Sequence, residues 1–149
     1  MKKFVLAVVM AMASISVAHA VEIASITSYS VDSNTLSPGL GIGTKVGPIG
    51  VGYVFQESQN NGRITHVHVL GLSKDLWQQD KLALGIKGGA AYLIREQKAN
   101  GWTNMIGPYV SYRLSDDFRI VTDLLFTRGS GDMAETSSTL VQVGFRYKF

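Results

Sequence analysis

The stretch LVQVGFRYKF, residues 140–149, closes the chain, and its alternation decides the fold. Val141, Val143, Phe145, Tyr147 and Phe149 form one apolar set. Gln142, Gly144, Arg146 and Lys148, with Leu140, form the other. A period of two places these sets on opposite faces of an extended strand. Such a strand needs neighbours, and the rest of the chain supplies seven more segments of similar kind. The eight run over about 22–31, 38–45, 48–57, 63–73, 81–94, 103–114, 117–127 and 137–149. No amphipathic helical pattern occurs among them. The first, EIASITSYSV, is the weakest, because its Ser and Thr residues blur the two faces.

The connections alternate in length. Short turns are expected near Val46-Gly47 and Ser115-Asp116, with a longer one in KDLWQQD. Longer polar loops are expected at DSNTLSP, SQNNGR, EQKANGW and RGSGDMAE. Short turns on one side and longer loops on the other describe an up-and-down membrane barrel. The predicted fold is therefore all-β: an eight-stranded antiparallel up-and-down transmembrane β-barrel over residues 21–149.

The charges decide which face meets lipid. In FRIVTDLLFTR, Phe118, Ile120, Leu124 and Phe126 oppose Arg119 and Asp123. In the fifth segment Leu82, Leu84, Ile86, Tyr92 and Ile94 oppose Gly85, Lys87 and Gly89. Arg or Lys facing the bilayer midplane costs about 2–4 kcal/mol, so the charged set is predicted to line the lumen. Glycine weakens a strand and offers nothing on a solvated face, but a narrow lumen needs small side chains. The expected polar lining is His66, His68, Lys87, Arg119, Asp123, Gln142 and Arg146. Aromatics collect at the two ends, as amphipathic rings do at both bilayer interfaces. The expected girdle is Tyr29, Tyr53, Phe55, Tyr92 and Phe126 near the longer loops, and Trp77, Tyr112 and Phe118 near the short turns.

The first twenty residues read as a cleaved signal peptide. Lys2 and Lys3 form the positive start, an uncharged and mostly apolar run follows to about Val17, and Ala18-His19-Ala20 is the cleavage site. That apolar run is too short for the roughly 20 residues of a spanning helix. The formal net charge of +3 owes much to these two lysines, and no basic run with interleaved aromatics marks a nucleic-acid partner. The absence of cysteine excludes a disulfide framework, a thiol nucleophile and a Cys-ligated metal.

With AHA at 18–20, eight segments, the tight hairpin YRLSDDF and the ending VGFRYKF, the sequence resembles the small outer-membrane β-barrel proteins of Gram-negative bacteria. That superfamily includes the OmpX/Ail, OmpA transmembrane-domain and opacity-type barrels. The resemblance covers residues 21–149 and implies a multi-pass protein of the outer membrane. It implies that Phe145, Tyr147 and Phe149 form a C-terminal signal read by the barrel assembly machinery. It further implies contact with outer-membrane lipid and lipopolysaccharide, and with extracellular surface partners. The loops are short beside those of opacity-type adhesins.

Chemistry is weakly signalled. His66 and His68 in RITHVHVLGL share a face, and imidazole is a common metal ligand, but no third ligand is near in sequence. A lipid A-modifying enzyme would need a serine–histidine–acid set, for instance His68, Asp123 and a serine. Nothing in the sequence specifies one, so no catalytic residue, metal or cofactor is assigned. The expected role is structural or surface interaction. A narrow solute channel with a basic lumen and a soluble lipocalin-like carrier are the alternatives.

Overall fold

The computed structural model describes residues 21–60 and 62–149; the signal-peptide segment lies outside them. Eight strands follow one another: β1 (Val21–Ser30), β2 (Thr35–Val46), β3 (Ile49–Asn60), β4 (Arg63–Gln79), β5 (Leu82–Arg95), β6 (Gly101–Arg113), β7 (Phe118–Gly129) and β8 (Ser138–Lys148). Each pairs antiparallel with the next, and β8 returns to β1, so the sheet closes into a barrel. The closing ladder runs from Glu22↔Lys148 to Ser30↔Leu140. The Phe149 amide donates to the Val21 carbonyl at 3.0 Å, which ties the chain end to the first strand.

All eight expected segments are strands, and both described ends lie on one side. Two connections differ from expectation. KDLWQQD is not a turn: β4 continues through it to Gln79, and the reversal falls at Asp80-Lys81. A bulge between Asp75 and Trp77 lets the strand run on, because the extra residue restores the outward set after the pairing slips. SQNNGR is not a long loop either. Asn60 pairs with Arg63, so β3 and β4 meet tightly, with Gly62 at a φ of 76°. At the other end Gly47 takes a φ of 60° in the two-residue turn between β2 and β3. Glycine adopts that left-handed conformation without a Cβ penalty.

The outer face carries the aliphatic sets, with Leu40, Ile106, Leu124 and Val143 all exposed. The inner face carries Glu22, Lys87, Asp123 and Gln142, all buried. This is inside-out relative to a soluble carrier, which would bury its aliphatic face around a ligand. Backbone groups have no partners in lipid, so only a closed ladder can span. Besides the β4–β5 bulge, the β6–β7 ladder is interrupted. Between Ile106↔Phe126 and Tyr109↔Asp123 two positions leave the pairing, and they include Pro108, which has no N–H to give. The backbones approach closely there: a Cβ on Gly107 would lie 1.8 Å from the Leu124 carbonyl oxygen.

Gly107→Ala is therefore expected to destabilise the barrel by about 1–3 kcal/mol, the usual cost of forcing extra volume into a packed site. Urea titration of the folded protein in detergent, followed by its heat-sensitive gel mobility, measures this. An unchanged midpoint would show that the two strands separate freely at this point.

Candidate functional site: the lumen and its outer mouth

The inward positions stack in tiers along the barrel axis. Nearest the terminal end, Glu22 of β1 lies between two guanidinium groups, 3.8 Å from Arg119 Nη2 and 3.6 Å from Arg146 Nη1. Beside it, Asp75 of β4 accepts from Lys45 of β2 through one oxygen and from the Tyr109 hydroxyl of β6 through the other. Above these, Lys87 Nζ is 2.5 Å from Asp123 Oδ2 and 3.1 Å from Gln142 Oε1. Gln142 Nε2 donates to Ser28 Oγ at 2.7 Å, and Gln56 Nε2 donates to the same oxygen. The lumen is thus crossed by one chain of polar contacts, from Asp123 through Lys87, Gln142 and Ser28 to Gln56. Asp123 Oδ1 has no partner among the described residues.

The next tier is apolar. Val69, Ala91, Met105 and Leu125 pack together inside the barrel, with Val54, Val67, Leu93 and Leu140 against them. Leu125 is 0% exposed and Ala91 is 1% exposed, so solvent does not reach these side chains. Glycines 41, 43, 50, 52 and 71 leave a cavity of about 60 Å³ along the opposite wall, with Lys45, Lys87 and Arg146 at its edge.

Beyond the apolar tier the barrel opens into a cup of about 350 Å³ at the loop end. Its rim is held by ion pairs. Arg95 Nη1 is 2.6 Å from Glu135 Oε1, and Lys98 Nζ is 3.0 Å from Glu135 Oε2. Glu135 sits on the short 3-10 helix Gly131–Thr136, so these contacts join the β5–β6 and β7–β8 connections. Its carboxyl is held below the ordinary value by Lys98 and then by Arg95. Asp32, on the β1–β2 connection, is lowered chiefly by the Thr139 amide, which donates to it at 2.7 Å.

Lys87, Arg119, Asp123, Gln142 and Arg146 stand on the inner face. His66 and His68, expected beside them, do not. Both stand on the outer face, because β4 pairs Val69 with Val54 and Val67 with Gln56 on the inner side. His68 Nδ1 and the Tyr53 hydroxyl are 2.6 Å apart, and both imidazoles pack on Phe55, with ring centroids at 5.7 and 5.3 Å. Glu57 lies 3.6 Å from His66 Nδ1. The histidines belong to the aromatic belt at the loop end. The parity of Leu70 and Leu72, which they share, carried the signal. No group of three His, Cys, Asp or Glu able to hold a metal occurs among the described residues. His68 and Asp123 lie on opposite sides of the barrel wall, so the serine–histidine–acid set considered from sequence does not assemble.

Tyr29, Tyr53, Phe55, Trp77, Tyr92, Tyr112, Phe118 and Phe126 all occupy outward positions. Tyr92 packs against Trp102 with tilted rings whose centroids are 5.0 Å apart, and Phe118 stacks on Phe145 at 6.0 Å. Sequence reasoning missed Glu22, Ser28, Asp75 and Tyr109. Asp75 was hidden by its assignment to a turn, and Tyr109 by the expectation that aromatics face lipid.

A closed antiparallel cylinder with an apolar exterior, aromatic ends and a polar, ion-paired interior is an integral barrel of the Gram-negative outer-membrane type. The chain belongs to the YfaZ precursor family, whose model matches residues 1–148. Among curated proteins no relative matches. The fold resembles the N-terminal barrel domain of Pseudomonas aeruginosa OprF, with a TM-score of 0.69 at 15% identity over 87% of this chain and 97% of that one. It also resembles Neisserial surface protein A, with a TM-score of 0.59 at 14% identity over 88% and 96% of the two chains. The Yersinia pestis outer membrane protein Ail gives 0.59 at 11% identity, covering 88% and 99%. At these identities the likeness is one of fold.

Two outcomes follow from the ion pairs. Removing one partner of a buried pair leaves the other charge uncompensated, so Lys87→Met is expected to cost about 3–5 kcal/mol. The double variant Lys87→Met with Asp123→Leu should recover most of that in urea unfolding; equal loss in both would refute the pair's role. At the rim the sign is opposite to that of a base. Glu135 has a lowered folded value, so its stabilisation is complete above the ordinary carboxylate range and disappears as pH falls through the lowered one. Hydrogen exchange across residues 96–100 and 130–137 should accelerate in acid, and Glu135→Gln should remove that pH dependence.

Proposed function

We propose that this protein is a plugged barrel, a structural and surface-interaction element of the outer membrane without catalysis or solute conduction. The observation that carries the reading is the apolar tier of Val69, Ala91, Met105 and Leu125 across the lumen. A hydrophobic constriction excludes water, and an ion would have to shed its hydration to pass it. The paired charges below add a second obstruction. Their number also fits a plug: Lys45, Lys87, Arg119 and Arg146 face inward, and each meets Asp75, Asp123 or Glu22.

The absence of catalysis is supported by the histidines' surroundings. The cross-strand neighbours of His66 are Glu57 and Ile94, and those of His68 are Phe55 and Tyr92. None is a serine, threonine or cysteine that a histidine could activate. The outer band supports contact with outer-membrane lipid and lipopolysaccharide. Phe145, Tyr147 and Phe149 lie exposed at the terminal end, with Phe149 at 70%, as a strip open to the barrel assembly machinery. In this class the loop end faces the cell exterior, so the cup is the surface presented to extracellular partners.

Planar-bilayer recording tests the reading. Purified wild-type barrel should insert without conductance steps, whereas Met105→Gly combined with Leu125→Gly should produce them. Steps of similar size from the wild-type protein would sink the plugged reading and favour the narrow channel.

A further inference from the structure

The cup at the loop end differs from a merely hydrated mouth in how its polar groups are partnered. On the side of β1, β7 and β8 the hydroxyls are consumed internally. Ser30 Oγ bonds Ser138 Oγ at 2.7 Å, Thr127 Oγ1 lies 3.0 Å from both the Thr136 and the Ser138 carbonyl oxygens and shares its one proton between them, and Thr136 Oγ1 donates to the Met133 carbonyl at 2.7 Å. These hydroxyls are satisfied within the protein.

The opposite side is not. The side chains of Ser37, Ser58 and Thr65 line the same cup and have no hydrogen-bond partner among the described residues. Their positions form a row. Gly39 pairs with Gln56, which sets Ser37 beside Ser58; Ser58 pairs with Thr65, and Thr65 pairs with Arg95. Adjacent strands lie about 4.8 Å apart, so the row presents hydroxyls at roughly that spacing. Each hydroxyl donates one bond and accepts two. Arg95 closes the row with its guanidinium fixed, since Nε donates to the Ala99 carbonyl at 2.8 Å and Nη1 meets Glu135.

The floor beneath the row is apolar, formed by Val67, Ala91, Leu93, Met105 and Leu140. Among the residues that line the cup, the cation Arg95 is engaged by Glu135, which Lys98 also meets, and the Asp32 carboxylate accepts from the Thr139 amide. An anionic ligand therefore finds no unpaired cation in the lining. A molecule complementary to this site has ring C–H groups for the floor, several hydroxyls for the row, and no charge. The volume of about 350 Å³ is at the lower end of ligand-sized pockets, which begin at about 300 Å³.

We infer that the cup is a binding site for an uncharged saccharide of one or two rings, held between the Ser37–Ser58–Thr65 row and the Val67–Leu93–Met105 floor. This deepens the surface-interaction reading and rests on it, but it does not depend on whether the lumen conducts.

The test uses the folded barrel in a zwitterionic detergent, because glycoside detergents would compete for the site. Maltose, lactose and N,N′-diacetylchitobiose are titrated in turn, and amide and methyl resonances are followed by NMR. At least one should saturate, with shifts confined to Ser37, Ser58, Thr65, Val67, Leu93 and Met105. Ser58→Ala with Thr65→Val should weaken that sugar about tenfold or more, as expected for two lost hydrogen bonds. Unaltered heat-sensitive gel mobility will show that the variant is folded. Three results would overturn the assignment: no saturable shift in the cup with any of the three sugars, unchanged affinity in the double variant, or tighter binding of a sulfated disaccharide than of its neutral form. Conductance recording on the same preparation reads the plugged state separately, so the two readings fail by different measurements.

Discussion

A peptide group in hydrocarbon has nothing to bond except another peptide group, and the whole molecule is arranged around that fact. The bond between β1 and β8 is the one that matters most, because it removes the last two free edges. It imposes an even number of strands with both ends on one side. It also explains why β1 tolerates so mixed a pattern. Its inward positions are Glu22, Ala24, Ile26 and Ser28, and its outward ones Ile23, Ser25, Thr27 and Tyr29. Neither set is strongly apolar. The strand is held by its ladders to β2 and β8 on either side, so side-chain burial is a secondary requirement.

Closure then creates the problem that the interior solves. Eight strands enclose a space about wide enough for side chains to fill, and that space must hold whatever the lipid face refuses. Charges enter because they cannot face outward, and once inside they need partners. The pairs of Lys87 with Asp123 and Lys45 with Asp75 meet that need, and the glycines of β2 to β5 leave them room. The apolar tier reflects a different pressure. Toward the loop end the lining no longer needs charge, and Val69, Ala91, Met105 and Leu125 pack as an ordinary core would.

Much of this was legible from alternation alone. The strand count, the terminal pairing and the placement of Arg119, Asp123, Gln142 and Arg146 follow from period two and the cost of charge in lipid. What misled was local polarity taken in isolation. Histidine looks like a lumen residue, yet at the membrane interface an imidazole stacked on Phe55 is well accommodated, and strand parity overrides residue preference. KDLWQQD reads as a turn because it is polar, but its polar residues stand at the wet end of a long, bulged strand. The cup was invisible from sequence. It depends on which hydroxyls spend their bonds on neighbours, and only the packed structure assigns those.

The internal contacts also have a mechanical meaning. Lys45 with Asp75 joins β2 to β4, Lys87 with Asp123 joins β5 to β7, and Glu22 with Arg119 joins β1 to β7. None of these links nearest neighbours around the wall. Each is a chord across the cross-section. A cylinder held only by its ladder flattens easily, since bending between strands stretches no ladder bond. Chords set at different orientations resist that flattening as struts brace a hoop. The roundness of this barrel under lateral pressure from the bilayer therefore resides in its side chains, while the backbone supplies only the circumference.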